Sequence, residues 1–130
     1  MKTKSRKKKE DQPSPRIVGV IDIGSTAVRI LISEVTPDGS LQRLDRAARP
    51  VSLGRDVFNR GEITRNSMMQ SLRILSGFLE LAAGYGMTRD DLQVVATSAV
   101  REAQNRDIFI DRVKVKTGLE IQIVEGVEEN

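Results

Sequence analysis

A junction between an apolar strand and a polar turn constrains the fold of this chain more than any other feature. The apolar run over residues 17–21 leads directly into Asp22-Ile23-Gly24-Ser25-Thr26, which predicts a buried strand that stops at a sheet edge. Glycine tolerates the positive φ of a tight turn, hydroxyls can bind phosphate oxygens, and a carboxylate can hold hydrated Mg²⁺. An ordinary β-hairpin turn is the alternative interpretation, because Val28, Ile30 and Ile32 begin a second strand immediately afterwards.

Neither cysteine nor histidine occurs among the 130 residues. Their absence excludes disulfides, thiol nucleophiles, Ser-His-Asp catalysis and zinc sites built from soft ligands, so acid–base chemistry must rest on carboxylates. A hydrophobic content of 38% is enough for one domain with a modest core. The sequence has no run of about 20 apolar residues and no hydrophobic signal segment, so we expect a soluble, cytoplasmic protein without membrane contact.

The net charge of +3 is unevenly distributed along the chain. Residues 1–15 carry a net charge of +4, so the remaining residues sum to −1. The basic segment contains Pro13 and Pro15 and no apolar run, which is typical of a disordered tail. We therefore expect a disordered basic tail over residues 1–16 and one folded domain over residues 17–130. The tail is expected to attract polyanions loosely, without specific recognition of nucleic acid.

The hydrophobic pattern predicts the element order β, β, β, α, β, α, β and an α/β fold with a mixed sheet. Strands are predicted over residues 17–21, 28–35, 41 to about 53, 92–96 and 119–123. The third is predicted to be an edge strand because charged residues are spread through it, and the fourth an interior parallel strand. Residues 54–63 are predicted to form a loop.

Two helices are predicted to pack against this sheet. The first begins at a capping residue, Thr64 or Asn66, and ends near Tyr85. Its inward stripe comprises Met68, Leu72, Leu75, Leu79 and Ala82. The second helix is capped by Asn105 and ended by Gly118. Its inward residues are predicted to be Ile108, Phe109, Val113 and Ile110.

Three polar segments follow the carboxyl ends of predicted strands, at residues 22–26, 97–102 and 125–129. Ligands of open α/β sheets bind at this edge, because unpaired groups at strand ends and helix starts converge there. We therefore expect one edge to hold an anion cradle, an arginine and a carboxylate. On the residues alone, two alternatives stay open: Arg101 pairs with Glu102, and Glu128 and Glu129 form a solvated acidic end.

The order of these segments resembles the exopolyphosphatase/guanosine pentaphosphate phosphohydrolase (Ppx/GppA) family. The most specific part is ATSAVREAQN over residues 96–105, joined by the early DIGST, the Ser52-Leu53-Gly54 step and TGL from Thr117. The final Gly126-Val127-Glu128-Glu129 is similar to the family segment Ser-Gly-x-Glu-Glu-Ala. The resemblance covers residues 18–130 in the order and spacing of the family.

This resemblance implies a ribonuclease H-like first lobe of the actin and sugar kinase superfamily, with a mixed five-stranded sheet. It also implies a Mg²⁺-dependent hydrolase that releases terminal orthophosphate from polyphosphate or from guanosine pentaphosphate. Glu129 matches the catalytic glutamate that activates water, Arg101 a phosphate-binding arginine, and Asp22 a metal ligand. The implied phosphate-binding residues are Gly24, Ser25, Thr26 and Ser98.

The chain also departs from the family pattern. Thr26 stands where the family usually has Asn, Glu125 where it has Ser, and Asn130 where it has Ala. The second lobe of the family, with its Asp-x-Gly-Gly-Gly-Ser-Thr loop, would follow Asn130. The resemblance therefore implies a truncated first lobe whose partners are the phosphate substrate, the missing C-terminal lobe and, in a homodimer, a second copy. The isolated chain is expected to be inactive or nearly so.

Two other functions remain as alternatives. One is a non-catalytic module that binds polyanions through the basic tail or regulates a partner. The other is a kinase-like ATP-binding lobe, since DIGST alone also occurs in sugar kinases and actin-like proteins; the run ATSAVREAQN favours the phosphohydrolase instead.

Overall fold

The computed structural model describes residues 15–125 and shows a mixed five-stranded sheet in the order β3-β2-β1-β4-β5. Its strands are β1 (Arg16–Ile23), β2 (Ala27–Val35), β3 (Leu41–Pro50), β4 (Leu92–Ala96) and β5 (Ile121–Ile123). β1 pairs antiparallel with β2 and parallel with β4, β2 pairs antiparallel with β3, and β4 pairs parallel with β5. The predicted sheet is confirmed, with β3 at an edge and β4 in the interior.

Helices connect the strands. They are α1 (Leu53–Arg60), α2 (Arg65–Gly84), α3 (Ser98–Glu102) and α4 (Arg106–Thr117), with a short 3₁₀ turn over Arg89–Asp91. Thr64 caps α2, as predicted, because its side chain accepts a hydrogen bond from the Ser67 amide. Gly118 ends α4 with a φ of 77°, the left-handed conformation that glycine adopts without strain.

The loop predicted over residues 54–63 is wrong, because α1 occupies most of it. β3 ends at Pro50 rather than near Leu53, and Leu53 is instead buried as the first residue of α1. The negative charge of Asp56 in the first turn and the positive charge of Arg60 in the last turn interact favourably with the helix dipole. Gly61 ends the helix with a φ of 77°. Two turns of helix contain too few apolar residues to establish a helical period in the sequence.

The predicted inward face of α4 is partly wrong. Phe109 and Val113 are fully buried, as predicted, and Thr117 continues the same face one turn further on. Ile108 is 54% exposed, because a residue adjacent to Phe109 lies about 100° around the helix from the buried face. Asn105 precedes the helix without capping it, and its side-chain amide instead bonds to the backbone of Ile63.

One hydrophobic core lies between the sheet and α2. Ile21, Ile23, Ile30 and Ile32 point from β1 and β2 into this core and are at most 1% exposed. The members of the predicted α2 stripe all belong to the core or pack against it, and Phe78 joins them at 3% exposure.

The opposite face of the sheet is more open. Val20 and Leu31, which face each other across β1 and β2, are 41% and 42% exposed. Of the helices in residues 15–125, not one combines the length and apolar character needed to cross a bilayer. The predictions for residues 1–14 of the basic tail and for Glu129 fall outside the described residues, whereas Arg16, which was assigned to the tail, is the first residue of β1.

Candidate phosphate-binding edge

Four strands of the sheet end at one edge. β3 runs in the same direction as β1 because both pair antiparallel with β2, and β4 and β5 run parallel to β1. The segments at residues 24–26, 51–54, 97–98 and 124–125 therefore follow strand ends at the same side of the molecule. The sequence predicted three of these segments; the one after β3 was missed because α1 was missed.

Backbone hydrogen bonds connect the four segments. The Thr97 amide donates to the Ile23 carbonyl at 3.4 Å, and the Val124 amide to the Ala96 carbonyl at 2.9 Å. Two amides after β3 donate to the turn after β1. The Val51 amide donates to the Thr26 carbonyl at 3.0 Å, and the Gly54 amide donates to the Ser25 carbonyl at 2.9 Å. The strand ends thus form one continuous rim.

The turn after β1 closes through a 3.0 Å hydrogen bond from the Gly24 amide to the Ala27 carbonyl, so it is also a β-hairpin turn. The predicted reason for Gly24 is wrong, since its φ is not among the positive values found in the described residues. A Cβ at Gly24 would instead lie 3.2 Å from the Ala27 carbonyl oxygen, which is a tight approach. Glycine therefore relieves a tight contact here rather than supplying a positive φ.

Ser25 and Ser98 meet in a hollow of about 410 Å³, called here the Ser98 hollow. Its lining consists of Ser25, Gly54, Val57, Phe58, Ser98, Ala99 and Glu102. Within residues 15–125 neither serine hydroxyl makes a hydrogen bond, whereas the hydroxyls of Ser71 and Thr117 donate to helix carbonyls. The two serines therefore present their hydroxyls to the same small space, which also contains the Glu102 carboxylate.

Gly54 allows α1 to approach the turn after β1. A Cβ at Gly54 would lie 2.8 Å from the Ser25 Cβ, too close for any other residue without rearrangement. α1 therefore begins directly against Ser25. In the sequence, the Ser52-Leu53-Gly54 step was the feature from which this contact could have been predicted.

Asp22 lies within β1, one residue beyond the predicted strand, and does not line the Ser98 hollow. It lines a groove of about 710 Å³ on the open face of the sheet together with its cross-strand partner Arg29. Its Oδ1 atom is buried and has no hydrogen-bond partner among the described residues. A buried carboxylate oxygen of this kind needs a cation or a donor.

Arg29 was missed by the sequence reasoning, which treated it only as a strand residue. Its Nη1 lies 3.9 Å from the position of a Cβ on Gly24, so the guanidinium is beside the turn after β1. The tight hairpin in the sequence could have identified Arg29, because the register of the hairpin places residue 29 opposite Asp22. Arg29 adds positive charge between Asp22 and Gly24.

Arg101 lies in α3, a short helix that was not predicted. Its Nη1 donates to the Val124 carbonyl at 2.8 Å, at the end of β5. Its Nε also lies 3.4 Å from the Glu102 carboxylate, so the alternative pairing is present, although a carboxylate with 65% side-chain exposure contributes little. Arg101 therefore contacts the strand end that leads toward Glu129.

Asp56 joins α1 to the start of α2. Its Oδ2 accepts hydrogen bonds from the Thr64 amide at 3.0 Å and from the Thr64 hydroxyl at 2.7 Å. Burial raises the pKa of Asp56, but hydrogen bonds from Ser67 and Thr64 and the charge of Arg60 outweigh it, leaving the pKa below its usual value. This network fixes the helix that packs against Ser25.

A metal site built only from side chains is not found in the described part of the chain. Within residues 15–125 no three His, Cys, Asp or Glu side chains gather closely enough to hold an ion. One carboxylate nevertheless fits Mg²⁺, which commonly keeps several waters and takes its other ligands from substrate phosphates. Asp22, with its unpartnered buried oxygen, is the residue that fits this role.

Sequence comparison connects this chain with known phosphatases. A sequence model of the Ppx/GppA phosphatase family matches residues 31–130. Exopolyphosphatase 1 of Mycobacterium leprae is 29% identical over 113 residues, which cover 87% of this chain and 33% of that protein. The guanosine-5'-triphosphate,3'-diphosphate pyrophosphatase of Vibrio atlanticus is 28% identical over 116 residues, which cover 89% of this chain and 23% of that protein. The chain thus spans a third or less of the length of these relatives.

Solved structures show the same relationship. The Aquifex aeolicus member of the Ppx/GppA family superposes with a TM-score of 0.82 at 29% identity, over 89% of this chain and 37% of that one. An exopolyphosphatase from Cytophaga hutchinsonii superposes with a TM-score of 0.80 at 27% identity, over 88% of this chain and 36% of that one. The predicted fold of the actin and sugar kinase superfamily is confirmed. By sequence and by structure, the chain belongs to the Ppx/GppA phosphatase family.

Proposed function

We propose that this chain is the phosphate-binding lobe of a phosphoanhydride hydrolase that releases terminal orthophosphate from polyphosphate or from guanosine pentaphosphate. Its relatives are named as an exopolyphosphatase and as a pyrophosphatase of a guanosine polyphosphate, and phosphoanhydride hydrolysis is common to both. The observation that carries the proposal is the meeting of the uncommitted Ser25 and Ser98 hydroxyls in one hollow at the sheet edge.

The terminal phosphate binds in the Ser98 hollow. Ser25 and Ser98 donate to its oxygens, and Gly24 and Thr26 shape the adjoining turn. Arg101 begins from the same rim, in the last turn of the helix that Ser98 opens. Its guanidinium is a planar cation of the kind that binds phosphate oxygens through charge-assisted hydrogen bonds. A cation at this place stabilises the negative charge that develops during phosphoryl transfer.

Asp22 would supply one anionic oxygen to Mg²⁺. When bound, the ion would neutralise part of the phosphate charge. Arg29, the cross-strand partner of Asp22, adds positive charge beside Gly24.

Glu129 activates the attacking water as the general base. The neighbouring carboxylate of Glu128 would raise its pKa through repulsion, which suits a base that works near neutral pH. A single lobe cannot close around the substrate or exclude bulk water, so the isolated chain turns over little or no substrate. A homodimer and a cytoplasmic location remain predictions of the sequence.

The test uses this chain joined to the second lobe of a family member, with orthophosphate release from polyphosphate as the readout. Glu129→Gln should remove most of the turnover while leaving substrate binding intact. Glu128→Gln is the matched control and should retain most of it. Equal rates for the Glu129→Gln variant and the parent protein would contradict the assignment of the base.

A further inference from the structure

The two walls of the Ser98 hollow are short helices whose carboxyl ends lead to the same place. The wall residues are Gly54, Val57 and Phe58 in α1 and Ser98, Ala99 and Glu102 in α3. α1 ends at Arg60 and α3 ends at Glu102. The segments that follow them, residues 61–63 and 103–105, meet and hydrogen-bond to each other.

Three hydrogen bonds join these two segments and are called here the Asn105 clamp. The Gln104 amide donates to the Gly61 carbonyl at 2.9 Å. The Asn105 side chain makes the other two, because its Oδ1 accepts from the Ile63 amide and its Nδ2 donates to the Ile63 carbonyl, each at 2.9 Å. A side-chain amide carries both an acceptor and donors, so Asn105 pairs with the backbone of Ile63 much as another peptide group would.

The clamp holds one end of α1, and the turn after β1 holds the other. At the start of the helix, the Gly54 amide donates to the Ser25 carbonyl at 2.9 Å. Beyond its end, the Asp56 carboxylate accepts hydrogen bonds from Thr64, and Ile63 is 2% exposed. The loop that the clamp grips is therefore fixed both to α1 and to the core, so the clamp sets the position of α1 relative to α3.

Asn105 makes this connection instead of capping its own helix. It occupies the capping position of α4, where asparagine is among the preferred residues, yet its side chain makes no capping hydrogen bond. A cap would connect Asn105 only to α4. The clamp connects it to Ile63, which lies 42 residues away in the sequence.

We propose that Asn105 is a positioning residue that sets the width of the Ser98 hollow. Asn105 does not line the hollow, so it acts through the two helices that do. By fixing α1 against α3, it keeps the Ser25 and Ser98 hydroxyls at a spacing that suits one phosphate group. This inference rests on the proposed function and adds a positioning residue to it.

The first measurement is the distance between the two walls. Because the chain has no cysteine, Phe58→Cys and Glu102→Cys place one spin label on each wall. Electron paramagnetic resonance should show a narrow distance distribution, and Asn105→Ala in the labelled chain should broaden it. Ile32→Val shortens a buried side chain of β2 outside the hollow and is the control for lost stability. An unchanged distribution in Asn105→Ala, or equal broadening by both substitutions, would overturn the proposal.

A second variant separates positioning from stability. Asn105→Ser can cap α4 and so supports folding, but its single short hydroxyl cannot bond both backbone groups of Ile63. We expect it to broaden the distribution as Asn105→Ala does. A narrow distribution in Asn105→Ser would show that the clamp does not set the width of the hollow.

The second measurement is orthophosphate binding to the 130-residue chain by calorimetry. Asn105→Ala and Asn105→Ser should each weaken binding about fivefold, because the hydroxyl donors no longer keep one spacing. Ile32→Val should change the affinity by less than about twofold. An unchanged affinity in Ser98→Ala would overturn the proposed function, while the distance measurement would still decide the role of the clamp. Weaker binding in Ser98→Ala but unchanged binding in Asn105→Ala would overturn only the positioning role.

Discussion

Arg101 and Val124 are joined by a 2.8 Å hydrogen bond from the guanidinium to the backbone carbonyl. The arginine lies in α3, directly after β4, and the carbonyl lies directly after β5. The residue proposed to bind phosphate therefore also fixes the strand end that leads to residues 126–130. A substitution at Arg101 is therefore expected to affect the end of β5 as well as any bound anion.

The first prediction concerns this double role. Arg101→Lys keeps the charge but loses the planar fork, so we expect tripolyphosphate binding to weaken about tenfold. Hydrogen exchange at Ile123 and Val124 should become faster in the same variant, because the end of β5 loses its contact with α3. Arg112→Lys serves as the control for the substitution. Unchanged exchange and unchanged affinity together would show that Arg101 has neither role.

The second prediction compares two glycines. Gly54→Ala places a Cβ 2.8 Å from the Ser25 Cβ, so we expect a loss of about 1–3 kcal/mol in the free energy of unfolding. Gly77→Ala lies in α2 with open space around it and should gain about 0.5–1 kcal/mol from helix propensity. Urea unfolding of both variants measures the difference. Equal effects of the two substitutions would contradict the close approach of α1 to Ser25.

The third prediction concerns Asp22. Mg²⁺ with tripolyphosphate should raise the melting temperature of the parent chain more than tripolyphosphate alone does, because Asp22 supplies a ligand to the ion. Asp22→Asn should remove this additional increase and leave the chain folded. Asp111→Asn, an exposed carboxylate on α4, is the control. The same Mg²⁺-dependent increase in Asp22→Asn would assign the ion elsewhere.

The fourth prediction concerns the acid side of the stability profile. The folded-state pKa of Asp56 lies below the usual value of 3.8, so its ionised form stabilises the fold at pH values above 3.8. That contribution is lost as the pH falls below 3.8 toward the folded-state pKa. At neutral pH, Asp56→Asn should lower the free energy of unfolding by about 1 kcal/mol, and the difference from the parent should shrink below pH 4. Urea unfolding at pH 7, 5 and 3 measures this, and a constant difference would contradict it.

The strands could be predicted because their apolar residues alternate or run continuously, as Ile30 and Ile32 do in β2. α1 could not be predicted, because the apolar residues Leu53 and Val57 show a single helical spacing that also fits a loop. Because α1 was missed, the fourth segment of the rim, which follows β3, was missed as well. The pairing of Asp22 with Arg29 depends on the hairpin register, which the sequence implies only after both strand boundaries are known.

The family resemblance suggested roles for individual residues, which hydrophobic patterns alone do not give. Ser98 and Arg101 carry no periodic signal of their own. Their place after the fourth predicted strand put them at the sheet edge, and the similarity of ATSAVREAQN to related proteins suggested their roles. The geometry then added Arg29, which becomes relevant only when the hairpin register places it beside the turn after β1.

The central claim is that one edge of the sheet binds a phosphate chain. Its most direct test is a nuclear magnetic resonance titration of the ¹⁵N-labelled chain with tripolyphosphate and Mg²⁺. We predict that the largest amide shifts occur at residues 24–26, 51–55 and 97–101. Shifts confined to the basic residues before Arg16, with the sheet edge unchanged, would contradict the claim and favour a polyanion-binding tail.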